Sequence, residues 1–199
     1  MSSIYLMEYN KDKKEIILSR KLNELDKFAL DFCKVLEKYT DYVIISGYIS
    51  ILLGRSRATE DIDVFIKELS YNNFEELYKS LNEAGFWCIN AEKPEEVFSY
   101  LKEGTSIRFS RKKTFVPNFE VKFPKREIDK ETFQDFVIVK MKEGALKISS
   151  LERQIAFKRY YLKAEKDRED ALHIEELFKD KLDYGKINKL KELIKNIKD

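Results

Sequence analysis

The sequence predicts an α/β (α+β) fold, with a mixed, twisted sheet flanked by helices and a helical segment at the C-terminal end. Short apolar or alternating stretches, typical of strands, are interspersed with stretches whose apolar residues recur every three or four positions. From residue 151 onward only the helical period remains. We therefore expect a single domain over 1–199, with a core over about 22–149 and a helical part over about 150–199.

Composition narrows the class of protein. A chain of 199 residues with 43% hydrophobic residues is long and apolar enough for a substantial core. Charged residues reach 37%, but the net charge is only +2, so no whole-molecule field favours nucleic acid or a membrane surface. The sequence has neither a signal-peptide pattern nor an apolar run of membrane-spanning length. We expect a cytoplasmic protein with reduced cysteines and no membrane partner.

The first elements alternate between strand and helix patterns. Two short strand patterns, 4–9 and 15–18, flank a polar turn and predict a hairpin. A helix with one apolar face is predicted over 22–36, and an apolar strand over 42–45. A small-residue turn at 46–47 then leads into a short apolar helix.

The later elements follow the same logic. Helix patterns at 74–81, which ends before Gly85, and at 94–101, which begins with a proline, predict helices on the sheet surface. Strand patterns occupy 62–66, 86–89, 105–109, 119–123, 136–141 and 146–149. Three closing helices are predicted over 151–164, over 167–178 with Ala171, Ile174, Leu177 and Phe178 facing inward, and around 187–197 with Leu193 on its apolar face.

Two aspartates alternate with apolar residues at 61–66. Asp61 and Asp63 project from one face of the predicted strand, because side chains alternate with a period of two. Carboxylates crowded on one face repel each other unless a positive charge lies between them, and hard oxygen ligands suit magnesium. The strand at 119–123 carries a third acid, Glu120, with the same outward alternation.

The turn at Ser46 and Gly47 joins a strand directly to a helix. Glycine permits close backbone approach, and the N–H groups of a helix start attract anions. Beside paired aspartates, the expected ligand is a metal-bound polyphosphate, with magnesium joining the carboxylates to phosphate oxygens.

Together these motifs resemble a known family. The Gly47 turn, the run Arg57-x-Thr59-x-Asp61-Ile62-Asp63 and the later Glu120 resemble the nucleotidyltransferase superfamily typified by DNA polymerase beta. The run is similar to the branch that contains the abortive-infection nucleotidyltransferase toxins and many uncharacterised microbial proteins. Lys158, followed by the charged run 166–170, is similar to a second motif of that branch. The resemblance covers about residues 40–178.

The resemblance implies a nucleotidyltransferase core, a reaction and a set of site residues. Asp61, Asp63 and Glu120 are implied to be catalytic and to bind Mg²⁺, with Mn²⁺ as a substitute. An acceptor hydroxyl would attack the α-phosphate of an NTP such as ATP, and pyrophosphate would leave. The residues implied to contact the nucleotide are Ser46, Gly47, Tyr48, Arg57, Thr59 and Lys158.

One departure from the family pattern motivates an alternative function. Tyr48 stands where the family has a second small residue, so its side chain either crowds the phosphate cradle or points into the core. Crowding would favour a catalytically degenerate nucleotide-binding or partner-binding module. The acceptor of an active enzyme is open between RNA, protein and a small molecule. A toxin with an antitoxin partner is a narrower form of the enzyme hypothesis, and a homodimer is compatible with both functions.

Most of the implied site residues also have a structural interpretation. Asp61 and Asp63 are ordinary solvated acids if they lie at an exposed strand end. Glu120 is an ordinary surface acid if it pairs with Lys122, and Arg57 is structural if it pairs with Glu60 or Asp61. Thr59 could simply hold its loop through a backbone hydrogen bond, and a lysine on a highly charged helix, such as residue 158, is usually solvated. One basic cluster predicts either a groove for RNA or a solvated hairpin tip: Arg108, Arg111, Lys112, Lys113, Lys122, Lys125 and Arg126.

Overall fold

Within residues 7–198, which the computed structural model describes, nine strands form one mixed sheet. The strands are β1 (Met7–Asn10), β2 (Glu15–Leu18), β3 (Tyr42–Ile44), β4 (Asp61–Ile66), β5 (Phe86–Cys88), β6 (Ile107–Arg111), β7 (Asn118–Lys122), β8 (Phe136–Met141) and β9 (Gly144–Ser149). Their order across the sheet is β1-β2-β8-β9-β3-β4-β7-β6-β5. The pairs β2–β8, β9–β3 and β4–β7 are parallel and the others antiparallel, which confirms the predicted mixed α/β class.

Helices separate or follow the strands along the chain. They are α1 (Glu24–Leu36), α2 (Gly47–Leu52), α3 (Tyr71–Glu83), α4 (Pro94–Lys102), α5 (Glu127–Lys130), α6 (Leu151–Ala156), α7 (Glu165–Phe178) and α8 (Tyr184–Lys198). A π-helical segment (Phe157–Leu162) follows α6, and 3-10 turns follow α5 and α7. No helix among residues 7–198 has the length and apolarity needed to cross a bilayer.

Helix α1 covers the core face of the central strands. Its start is fixed by a capping box, in which Asn23 accepts from the backbone of Asp26 and Asp26 accepts from that of Asn23. Its buried face brings Phe32 onto Phe119 of β7, with ring centroids 4.0 Å apart and an interplanar angle of 12°. Phe28 stacks on the same ring. Because α1 packs on this face of the sheet, the polar side chains of β4 and β7 project from the opposite face.

The C-terminal helices differ in detail from the pattern-based expectation. The helix predicted over 151–164 is α6 followed by the π-helical segment, and the chain turns at Lys163, whose φ is 66°. Leu177 is 45% exposed although the pattern placed it inward. The buried face of α7 is defined by Ala171, Ile174 and Phe178, and Leu177 precedes Phe178 by one position, a rotation of about 100°.

Other boundaries and positions also differ. Leu193 of α8 is 38% exposed although it was assigned to the apolar face. The short helix α5 was missed because four residues contain too little periodicity to detect. The hairpin was predicted from residue 4, but residues 4–6 lie outside the described part of the chain.

Candidate active site

The two aspartates of β4 lie on the sheet face opposite the core. Ile62, Val64 and Ile66 are fully buried, whereas the alternating Asp61 and Asp63 are partly exposed. The period of two therefore places both carboxylates on one face, as the sequence predicts.

Glu120 lies directly beside Asp63. The strands β4 and β7 are parallel neighbours, and their register pairs Asp63 with Glu120 and Asp61 with Asn118. On the other side of β7, Arg108 of β6 is paired with Glu120, and its Nη2 is 3.3 Å from Glu120 Oε2. Three carboxylates thus share one face of two adjacent strands.

Lys122 supplies a positive charge to this group of acids. Its Nζ donates to Asp63 Oδ1 at 2.8 Å and lies 3.6 Å from Glu120 Oε1, so the structural pairing of Glu120 with Lys122 is present. Burial alone would lower the pKa of Lys122, but the two carboxylates hold it above its usual value. Burial would raise the pKa of Glu120, but a hydrogen bond from Ser106 and the charges of Lys122 and Arg108 lower it. Lys122 and Glu120 are therefore both charged at neutral pH.

The donor chemistry of the site fits a hard divalent cation. Asp61, Asp63 and Glu120 offer carboxylate oxygens, which magnesium prefers. In the described residues, no three Asp, Glu, His or Cys side chains are arranged to hold a metal ion, and the Lys122 ammonium contacts two of the acids. A cation at these carboxylates would therefore replace the contacts of Lys122.

The turn between β3 and α2 is strained. Ser46 has φ 65° and ψ −138°, a region that residues other than glycine rarely adopt. A Cβ on Gly47 would lie 3.2 Å from Arg57 Nη2, so the absence of a side chain at this position provides space for the guanidinium. In the orientation that satisfies both partners, the amide of Gln154 accepts from Ser46 N at 3.2 Å and donates to Ser46 O at 3.3 Å. The surrounding side chains thus hold the strained turn in place.

The side chain of Tyr48 points into the core. It is fully buried, and its hydroxyl donates to Asp26 Oδ1 at 2.9 Å. Two hydrogen bonds from Arg20 reach the same carboxylate. Burial first, and then the charge of Asp26, raise the pKa of Tyr48 well above 10, so the hydroxyl stays protonated. Of the two alternatives for Tyr48, the structure therefore has the one in which the ring does not crowd the turn.

Removing this hydroxyl tests how much the buried contact stabilises the fold. Tyr48→Phe is expected to lower the free energy of unfolding by about 1–2 kcal/mol, because the buried Asp26 loses one donor. Urea denaturation followed by circular dichroism measures the change. Tyr184→Phe is the matched control, since Tyr184 is 44% exposed, and it should change stability by less than about 0.5 kcal/mol. Equal losses in the two variants would contradict a contribution from the Asp26 contact.

Arg57 and Lys158 meet at one buried carboxylate, that of Asp170. Asp170 is fully buried and Lys158 is 1% exposed, and Lys158 Nζ donates to Asp170 Oδ2 at 2.7 Å. Arg55 and Arg57 each donate to Asp170 as well. Burial alone would raise the pKa of Asp170, but the hydrogen bond and charge of Lys158, and then Arg55 and Arg57, lower it. This cationic cluster joins the loop after α2 to α7.

These contacts test the structural interpretations of Arg57 and Lys158. Arg57 binds Asp170, so its structural partner is Asp170 and neither of the two alternatives, Glu60 and Asp61. Lys158 is buried rather than solvated, so the expectation for a lysine on a charged helix is wrong. A contact of either side chain with a nucleotide remains a prediction.

Thr59 belongs to the loop that precedes β4. Its hydroxyl donates to the backbone oxygen of Asp61 at 3.0 Å and lies 3.4 Å from Asp61 Oδ1. The loop-holding contact expected of a threonine here is therefore present, and a role in nucleotide binding stays a prediction.

A cavity of about 700 Å³ opens beside Asp63. It is bounded by the Ser46 turn, by Phe65 and by parts of α5, α6 and the π-helical segment. The basic residues lining it are Lys122, Lys125, Arg126, Arg153 and Lys158, and the acidic ones are Asp63 and Asp129. This excess of positive charge suits a polyphosphate. Asp61 does not line the cavity, so Asp63 lies between the cavity and Asp61 along β4.

Arg153 and Gln154, which line the cavity, were missed as functional candidates. Lys122 was predicted only as part of the basic cluster and as a partner of Glu120, although the period of the strand could have placed it with the carboxylates. Arg153 and Gln154 carry no comparable signal, because their positions depend on how α6 packs beside the Ser46 turn.

Comparison with known proteins addresses the fold. No protein-family model and no curated protein matches this chain. An antigenic nucleotidyltransferase-like protein from Paracoccidioides brasiliensis is similar in structure, with 16% identity, a TM-score of 0.54, and coverage of 86% of this chain and 85% of that chain. The lincosamide antibiotic adenylyltransferase LnuA, in its lincomycin-bound structure, has 13% identity, a TM-score of 0.50, and coverage of 79% and 99%. Both similarities lie in the architecture, and they show that this chain has the predicted nucleotidyltransferase fold.

Proposed function

We propose that this protein transfers a nucleoside monophosphate from an NTP to an acceptor hydroxyl. The observation that carries the proposal is the register of β4 and β7, which sets Glu120 beside Asp63, and Asp63 lines a basic cavity. Carboxylates next to a polyphosphate-sized basic cavity are the combination that nucleotidyl transfer requires.

The cavity is the proposed site of the NTP. Lys122 and Lys158 line it and would face the phosphates, with Lys158 held in place by Asp170. Ser46 adjoins the same space, and the backbone of Ser46 and Gly47 at the start of α2 would contact the phosphate end. Arg57 lies against Gly47 and would stabilise the turn from the outside.

The carboxylates are the proposed reaction centre. A magnesium or manganese ion held by Asp61, Asp63 and Glu120 would polarise the phosphate oxygens. The lowered pKa of Glu120 keeps it ionised but makes it a weak base, which suits a ligand better than a proton acceptor. Lys122, released from Asp63 and Glu120, would be free to neutralise charge on the phosphates.

Label transfer tests the proposal directly. Incubation of the protein with each of four α-labelled NTPs, Mg²⁺ and a cell extract is expected to attach label to an acceptor. The Asp61→Asn/Asp63→Asn double variant is the blank and should attach none, because both carboxylates become neutral amides. Absence of label with every NTP, in Mg²⁺ and in Mn²⁺, would contradict the proposal.

A catalytically degenerate binding module is the second candidate. Tyr48 no longer favours it, since its ring lies in the core. Lys122 does favour it, because its ammonium contacts two of the carboxylates that a metal would need. This candidate predicts that calorimetry detects NTP binding while no NTP is turned over. Metal-dependent turnover that is lost in the double variant would reject it.

A further inference from the structure

The sheet face that carries the carboxylates continues away from the cavity. Strand register aligns Asp61 with Asn118, Asn118 with Ser110, and Ser110 with Trp87. This row crosses four adjacent strands, so Trp87 lies about 14 Å from Asp61, three strand spacings away. Asp61 and Glu120 do not line the cavity. Asp63 therefore borders the cavity, and the row that begins at Asp61 leads away from it.

The loop that joins β6 to β7 covers the far end of this row. We call residues 112–117 together with Trp87 the hairpin tip. The indole of Trp87 donates to Thr114 O at 2.9 Å, and Ser110 Oγ donates to Pro117 O at 2.7 Å. Asn118 Nδ2 donates to Phe115 O at 3.4 Å and to Glu60 O at 3.3 Å, so the tip is fixed beside the start of β4. The hairpin tip is thus an ordered part of the molecule next to Asp61.

This ordered tip displays aromatic and apolar surface to solvent. Phe115 is 62% exposed and Val116 is 53% exposed. The ring of Phe115 packs edge-on against the half-buried Trp87, with centroids 5.3 Å apart. The exposed ring of Phe115, supported by the half-buried ring of Trp87, offers a stacking platform for planar groups near the carboxylates.

The charge around the platform is one-sided. Lys112 and Lys113 are exposed, and neither ammonium has an acidic partner in the part of the chain that the structure covers. Between residues 104 and 126 the sequence contains one acid, Glu120, which already contacts Arg108 and Lys122. Stacking rings flanked by unpaired cations are the features that bind single-stranded nucleic acid. An acidic peptide would satisfy the lysines but leave the aromatic platform unexplained.

We propose that the acceptor of nucleotidyl transfer is the hydroxyl end of a single-stranded nucleic acid, whose terminal bases stack on the hairpin tip. This proposal rests on the proposed function. The terminal hydroxyl oxygen forms a bond to the α-phosphorus of the NTP in the cavity. The bond from that phosphorus to the bridging oxygen of the β-phosphate breaks, pyrophosphate leaves, and the hydroxyl proton passes to solvent.

Binding is tested first, independently of turnover. The chain has a single tryptophan, so its fluorescence reports on the hairpin tip. Short single-stranded RNA and DNA oligonucleotides are expected to quench this fluorescence, and Phe115→Ala should weaken binding about tenfold through the loss of stacking. Lys112→Ala/Lys113→Ala should reduce the slope of log affinity against log salt by about 1.4, from the loss of two phosphate contacts. Lys11→Ala/Lys13→Ala, at the exposed turn between β1 and β2, is the matched control. It should change neither the affinity for oligonucleotides nor the dependence of that affinity on salt.

Transfer is tested next with the same variants. Wild-type protein should attach label to oligonucleotides with a free terminal hydroxyl and not to blocked ones, with RNA and DNA compared side by side. Phe115→Ala should reduce this labelling about tenfold at limiting oligonucleotide. Label on an acidic serine- and tyrosine-containing peptide or on a small polyhydroxyl compound, unaffected by the tip variants, would overturn the acceptor assignment and leave the proposed function standing. If oligonucleotides bind but no acceptor becomes labelled, both the acceptor assignment and the proposed nucleotidyl transfer would be overturned.

Discussion

Asp63→Asn is expected to reduce the rate of label transfer by about a thousandfold, the largest effect on activity of any single substitution in this chain. Asp63 is the carboxylate that lines the cavity, lies beside Glu120 in the sheet and receives the Lys122 hydrogen bond. Asparagine preserves the shape of the side chain but removes the negative charge. The loss should appear in kcat and persist at saturating NTP.

The control for this substitution is a matched change at a surface aspartate. Asp41 is about half exposed and pairs with Lys67 away from the cavity, so Asp41→Asn should leave the transfer rate unchanged. Raising the Mg²⁺ or Mn²⁺ concentration should restore little activity to Asp63→Asn, because the missing charge is part of the site itself. A variant that retains wild-type kcat would remove Asp63 from the reaction centre.

Asp170→Ala is expected to be the most destabilising single substitution, lowering the free energy of unfolding by about 3–5 kcal/mol. Asp170 is fully buried and is the shared partner of Arg55, Arg57 and Lys158. Its removal leaves cations buried without their counterion. Glu169→Gln is the control: Glu169 pairs with Arg55 but is 55% exposed, so its loss should change stability by less than about 1 kcal/mol.

The same carboxylate predicts how stability depends on pH. The pKa of Asp170 is lowered in the folded state, so its contribution is present above the unfolded-state pKa of about 4 and is lost as pH falls through the folded-state value. In urea denaturation between about pH 3 and pH 6, the free energy of unfolding should therefore fall more steeply with decreasing pH for wild type than for Asp170→Ala. Parallel curves for the two proteins would contradict a charged Asp170 in the folded state.

Local patterns in the sequence were sufficient to predict the class of fold and to predict that the two aspartates share one face of the sheet. The alternation around Asp61 and Asp63 determines their common face, because a strand has only two faces. The alternation around Glu120 likewise predicts an outward acid. These features depend on residues two positions apart, and such short-range periodicity can be detected in a single sequence.

Features that depend on residues distant in sequence were not predictable. The pairing of Arg57 with Asp170 joins positions 113 residues apart, and no local pattern links them. Tyr48 looked like an obstruction because its partner Asp26 lies in a different helix. The strain at Ser46 was also hidden, since a serine at positive φ is held there by tertiary contacts such as that of Gln154.

The order of strands in the sheet has a consequence for how the chain folds as it leaves the ribosome. The first hairpin, β1 and β2, connects to the rest of the sheet through β8, and β3 is joined on one side by β9. Until residues 136–149 have been synthesised, β2 is paired only with β1 and β3 only with β4, so each exposes one open edge. Such late, long-range pairing slows folding and favours assembly after most of the chain has emerged.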